Sequence, residues 1–138
     1  MIMKQKMITY GIATCLTIAL FTNCSKTNET IASVQQKIKG KWKVVRETKI
    51  LMTPTTEMAS SVNGDTSHYY NFTADSVVTL SPHFNATVAY TVISPTQLIM
   101  TGLPMQIQTL TNSNCILYSK YPTGEPGKYN ALKIELKK

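Results

Sequence analysis

The sequence predicts an all-β domain: an eight-stranded, up-and-down antiparallel barrel with a short N-terminal helix. Three observations carry that expectation. "YNALKIELK", residues 129–137, places Asn130, Leu132, Ile134 and Leu136 on one face and Ala131, Lys133 and Glu135 on the other. This period of two is that of a half-buried antiparallel strand. Eight strand-like runs follow one another after Gly40, mostly separated by short turn signals. One stretch, "ETIASVQQKIKG", instead spaces Ile31, Val34 and Ile38 as a helix does, with Gly40 available to stop it. Closing the strands into a barrel also removes sheet edges that would invite aggregation.

The elements follow in order. The helix is short and amphipathic enough to cover one end of the domain. The strands are expected at Trp42–Met52, Ser67–Phe72, Ser76–Leu80, Thr87–Ile93, Gln97–Thr101, Met105–Leu110, Cys115–Tyr121 and Tyr129–Lys137. Val88, Tyr90 and Val92 share one face of their strand, and Met105 and Ile107 oppose Gln106 and Gln108. Turn signals such as "TAD", "SPHFN", "GLP", "TNSN" and "PTGEPG" lie between the runs. The longer "TPTTEMASSVNGD" reads as a loop between the first strand and the second.

With 138 residues there is room for one domain, and 15% charged against 43% apolar residues describes a folded chain. The formal charge of +7 is uneven, with Lys37, Lys39, Lys41, Lys43, Arg46 and Lys49 clustered. Nucleic-acid binding would need a recognisable motif besides the charge, and none is present, so no nucleic-acid partner is expected. A solvated basic patch near an anionic membrane is the reading that the charge supports.

The amino terminus supplies the membrane. "MIMKQK" carries two lysines and no acid, and Met7 to Phe21 is free of charge. A positive n-region before a short apolar run is a signal-peptide pattern, too short and too rich in threonine for a bilayer span. The run stops at Cys24 and a polar stretch follows, which resembles a bacterial lipoprotein signal of the Bacteroidetes type. That resemblance implies cleavage after residue 23, lipidation of Cys24, a tether over 24–30 and a folded domain over 31–138. More than one acyl chain on the cysteine would make the anchoring stable. Cys15 is a poorer anchor because an apolar run would follow it. The implied location is the cell envelope, as an outer-membrane lipid-anchored protein facing the periplasm or the cell surface. Cys115, in a strand-like run, reads as a buried small hydrophobe.

"IKGKWKVV" adds a family resemblance. A Gly-x-Trp opening the first strand just after a short helix resembles the lipocalins and their smaller bacterial lipocalin-like relatives. "YYNFTADSVVTL" is similar to the second hairpin of Bacteroidetes lipocalin-like lipoproteins. The resemblance covers roughly residues 36–138 and implies an eight-stranded barrel with one end closed by Trp42. It also implies a small apolar or amphipathic ligand, and a basic residue from the last strand packed over the tryptophan. Lys133 does not suit that role, since it falls on the outward face of its strand.

No spacing assembles a carboxylate pair, a nucleophile with its base, or a metal-ligand set, so neither an enzyme nor a cofactor or metal is expected. The candidate ligand-binding residues are Trp42, Arg46, Tyr70, Phe72, Tyr90 and Tyr118. If alternation holds after Trp42 and Val44, Arg46 faces inward and its guanidinium holds an anionic head group. A bulge at Val44–Val45 would turn it outward instead. The aromatic set lines a pocket or fills the core. Asp75-Ser76-Val77, at an expected hairpin turn, resembles the short sequence at which Bacteroidetes O-glycosylate exported proteins, marking Ser76. The expectation is therefore a monomeric, membrane-anchored carrier of a small hydrophobic ligand. The alternative is an interaction or inhibitor module with a filled barrel, binding a protein or glycan through its loops.

Overall fold

The computed structural model describes residues 29–82 and 84–138. The expected signal segment, Cys15, Cys24, most of the expected tether and His83 lie outside the described residues.

Helix α1 spans Ile31–Ile38 and starts at Thr30, whose hydroxyl accepts from the Ser33 amide at 3.2 Å. Val34 and Ile38, one turn apart, are its fully buried residues. It packs against β5 and β7 at one end of the barrel. Gly40 then takes φ 106°, a left-handed value that suits glycine, and the chain turns into the sheet.

Nine strand segments follow: β1 (Gly40–Met52), β2 (Glu57–Asn63), β3 (Tyr69–Phe72), β4 (Ser76–Leu80), β5 (Asn85–Ser94), β6 (Gln97–Met100), β7 (Leu103–Leu110), β8 (Asn114–Pro122) and β9 (Tyr129–Lys137). Every pairing is antiparallel. From β3 to β9 each strand pairs with the next, and β9 closes back onto β1. The other side of β1 is shared: Gly40–Lys43 pair with β3, whereas Arg46–Met52 pair with β2. Segments β2 and β3 are thus two halves of one descending strand, broken over residues 64–68, and the fold is the eight-stranded antiparallel barrel. The lipocalin-like architecture expected from the sequence stands. One expectation is corrected, because "EMASSVN", read as loop, is strand β2. Its weak alternation hid it, and the paired edge of β1 supplies the order that local propensity does not.

The break between β2 and β3 has an identifiable cause. The register of β1 against β9 slips at Val45, so that Val44 opposes Leu136 and Arg46 opposes Glu135. Around this bulge the Val44 amide donates to the His68 carbonyl at 2.9 Å and the Gly64 amide donates to Val45 at 3.0 Å. Gly64 lies so close that a Cβ there would stand 1.9 Å from the Val44 oxygen. Only a residue without a side chain lets the two backbones meet.

The core occupies the end nearest α1. Trp42, Val44, Phe72, Val77, Leu98, Met105, Cys115, Leu117, Ile134 and Leu136 are each at most 3% exposed and join Val34 and Ile38 in one cluster. At the opposite end, all seven residues of β2 are exposed. Its outer edge has no strand partner among the described residues.

Gly64→Ala should destabilise the barrel by at least about 1–3 kcal/mol, the usual cost of forcing extra atoms into a packed site. Urea unfolding checks this; a variant as stable as the parent would mean that the β1 bulge and the 64–68 segment do not touch.

Candidate ligand cleft at the open end of the barrel

At the closed end Trp42 is fully buried, and its indole Nε1 donates to the Ile38 carbonyl at 2.6 Å. The last carbonyls of a helix lack intrahelical partners, so this bond caps α1 as well as orienting the ring. Lys138 completes the arrangement. Its ammonium stands 4.5 Å from the Trp42 ring centroid and donates to the Lys37 carbonyl at 3.0 Å. Lys138 thus takes the place over the tryptophan that the resemblance assigned to a basic residue of the last strand, while Lys133 pairs with Glu135 at 2.9 Å. Lying just past the end of β9, Lys138 was not legible from the strand's alternation.

Above Trp42 the interior is filled. Tyr70, Phe72 and Tyr90 face inward, and Phe72 meets Tyr90 edge to face at 5.2 Å between centroids. Tyr90 donates its hydroxyl to the Thr73 carbonyl at 2.8 Å, which ties it to the β3–β4 turn. These rings are packing, as aromatics on alternate positions of a strand usually are. Tyr118 does not join them. It pairs with Lys133 on the outer face of the wall, and Tyr121 is the tyrosine of β8 that shares the inner face with Leu117 and Ser119.

For Arg46 the bulge alternative holds, so it is not an interior group. The bulge at Val45 turns it out, where it is exposed and donates through Nε to Asn63 at 3.4 Å. The same bulge has a larger consequence. A one-residue slip exchanges the faces of everything that follows. Glu47, Lys49 and Leu51 therefore take the inner face, opposite Ile134, Leu132 and Asn130 of β9. Sequence reasoning weighed the bulge for Arg46 alone and missed these three residues. The signal that would have found them is the same alternation, restarted after Val45.

The inner face rises beyond the core in transverse rows that the register defines. Tyr121, Asn130, Leu51 and Met58 form one row across β8, β9, β1 and β2. Ser119, Leu132, Lys49 and Ser60 form the row below. A cleft of about 450 Å³ lies against these two rows. Its apolar lining includes Leu51, Met58 and Leu132 from these rows together with Ile50, Ala59 and Ala131, and Lys49 is its cation. One row lower, Glu47 accepts from the Tyr70 hydroxyl at 2.7 Å, and His68 Nε2 stands 3.7 Å from the same carboxylate oxygen. Burial and the Glu47 charge push the Tyr70 phenol far above its ordinary value, so it stays a proton donor to Glu47. In the row above Glu47, Ser119 is buried and gives its hydroxyl to the Pro104 carbonyl at 2.7 Å.

Of the remaining candidate residues, Ser76 opens β4 at the predicted turn. It is half-buried and shares a hydrogen bond with Thr73 Oγ1 at 2.8 Å. Cys24 lies outside the described residues. Cys115 is fully buried, and burial pushes its thiol up to about 12.

Comparison with protein-family models, with characterised proteins and with solved structures finds no match. The cleft therefore has to be read from its own chemistry.

The Cys115 thiol sets a pH dependence. Its ordinary value is 9.0, and folding raises it to about 12. The unfolded chain therefore loses this proton first as pH rises, and stability falls. The contribution is complete below pH 9.0 and is lost between pH 9.0 and about 12. Urea unfolding at stepped pH should show a decline in that window of up to about 1.4 kcal/mol per pH unit from this group. The slope should flatten in Cys115→Ala. An equal slope in the variant would move the titration elsewhere.

Proposed function

We propose that this chain is a non-enzymatic, lipid-anchored binding protein of the cell envelope, holding a small amphipathic molecule in the cleft at the open end of its barrel. The observation that carries the reading is the cleft itself. Its volume of about 450 Å³ falls within the range of small-molecule sites, and apolar walls with a single cation suit a hydrocarbon body with an acidic end. Leu51, Met58 and Leu132 would take the apolar part, and Lys49 the carboxylate or other anionic terminus. Because side chains fill the lower barrel, the ligand sits above the core, against the inner face of β8, β9, β1 and β2. The anchor rests on the sequence around Cys24, with cleavage before it and acylation of its thiol.

A fluorescent fatty acid displaced by unlabelled ligands measures the site in the full chain. Lys49→Ala should weaken a long-chain carboxylate about three- to tenfold. This is less than the loss of a buried charge-assisted bond, because the lysine is partly in water. The alcohol of the same length should be nearly unaffected, and Arg46→Ala should change neither. Absence of saturable binding by any apolar ligand would remove the carrier reading.

A second reading draws on two specific observations, the filled lower barrel and an outer edge of β2 that has no strand partner among the described residues. It makes the protein an interaction module whose open rim binds a protein or glycan, and failure of the displacement assay would favour it. The anchor has its own test. Cells fed a labelled fatty acid should yield labelled protein, with the label abolished in Cys24→Ala and retained in Cys15→Ala. Label persisting without Cys24 would overturn the envelope assignment.

A further inference from the structure

We propose that the closed end of the barrel carries an anion site for a phosphate ester, held between Lys43 of β1 and Lys137 of β9. The register sets these two lysines directly opposite each other on the outer face. Like charges opposite one another across a sheet destabilise it, so their juxtaposition calls for a compensating negative group. Among the described residues no carboxylate is paired with either lysine, and Asp65, between Gly64 and Thr66, accepts from the amide and hydroxyl of Ser67. The ion pairs of the described residues join Lys37 to Glu29, His68 to Glu47, Lys128 to Glu125 and Lys133 to Glu135. The nearby Glu135 is thus already engaged.

Two further lysines converge on the same place, and each is held in position. Lys41 has its ammonium 3.6 Å from the centroid of the Tyr69 ring. Lys138 is fixed by the Trp42 ring and the Lys37 carbonyl. Holding them costs the bound state little side-chain entropy, because the fold has already ordered them. Two adjoining clefts share Lys43, Lys137 and Lys138. One, of about 320 Å³, is completed by Val44, Val45 and Gly64. The other, of about 260 Å³, is completed by Lys41, Thr66 and Tyr69. No acidic residue lines either one.

The donor set selects the chemistry. Several lysines lining two adjoining clefts, with no carboxylate among the lining residues, suit a tetrahedral anion with three or four oxygens and more than one charge. A planar carboxylate is better matched by the fork of an arginine, and no arginine lines these clefts. With the phosphate between Lys43 and Lys137, the Val44–Val45 side accepts an apolar substituent, and the Thr66–Tyr69 side a hydroxylated one. A phospholipid head group and a free phosphate ester share this chemistry. The site is independent of the open-end cleft, which lies at the other end of the barrel.

Trp42 is the only tryptophan of the chain, and the Lys138 ammonium lies against it, so its emission reports on the site. The full chain is titrated at constant ionic strength with inorganic phosphate, and separately with monomeric short-chain phosphatidylglycerol. Both should give a saturable change in emission or in thermal midpoint. Lys43→Gln and Lys137→Gln should each raise the dissociation constant at least fivefold. Tighter binding of the phosphatidylglycerol assigns the site to lipid head groups, and equal or weaker binding assigns it to free phosphate esters. In phosphate-free buffer of low ionic strength, each substitution should raise the thermal midpoint by relieving the repulsion. No saturable change with either probe, titrations unaltered in both variants, or variants that melt lower without phosphate would overturn the proposal.

Discussion

The β-bulge at Val45 is the constraint on which the rest of the molecule depends. By inserting one unpaired residue into the longest strand, it lets β1 present Trp42 and Val44 to the core below and Glu47, Lys49 and Leu51 to the inner face above. Without the slip the upper half of β1 would turn Arg46, Thr48 and Ile50 inward. The bulge also breaks its neighbouring strand into β2 and β3, because the 64–68 segment must cross it at backbone contact distance. A single glycine at position 64 makes that crossing sterically permissible.

From this one irregularity the barrel acquires two different ends. Below the bulge, β3 pairs with β4 and the ring is complete, so the interior packs to exclusion of solvent around Trp42 and Phe72. Above it, β2 has β1 on one side and, among the described residues, no strand on the other, and Met58 and Val62 are 58% and 65% exposed. Packing therefore ends where the second edge of the wall ends. The cleft is the space that an eight-stranded barrel of this size would otherwise fill with side chains.

At the closed end two polar groups add to the packing of Val34 and Ile38 in holding the helix to the barrel. The indole of Trp42 and the ammonium of Lys138 satisfy the carbonyls of Ile38 and Lys37, and the ammonium lies on the face of the indole. Each group answers a need of the others, since helix-end carbonyls lack partners and a buried indole N–H must find one. The chain's positive charge is distributed by the same strands. Lys41 and Lys43 face outward because Trp42 and Val44 face inward, and Lys137 is outward because Leu136 is buried.

The sequence by itself determined the class of fold, the helix and its buried residues, eight of the nine strand segments, and the closing role of Trp42. These are local matters: a period of two or of 3.6, turn residues, and a Gly-x-Trp in a fixed place. It also marked Cys115 as buried. Only the tertiary structure decided what faces what. A slip at Val44–Val45 is one of the two readings that "VVRETK" allows, and the stretch alone does not impose it. The slip is set by the pairing with β9 and by Gly64, which are distant in sequence. For that reason Arg46 and Tyr118 fall outside the barrel, Lys138 reaches Trp42, and β2 emerges from a stretch with loop-like composition. Lys49 joins a cleft in the same way, and Lys43 meets Lys137, because register is a property of paired strands and not of either strand alone.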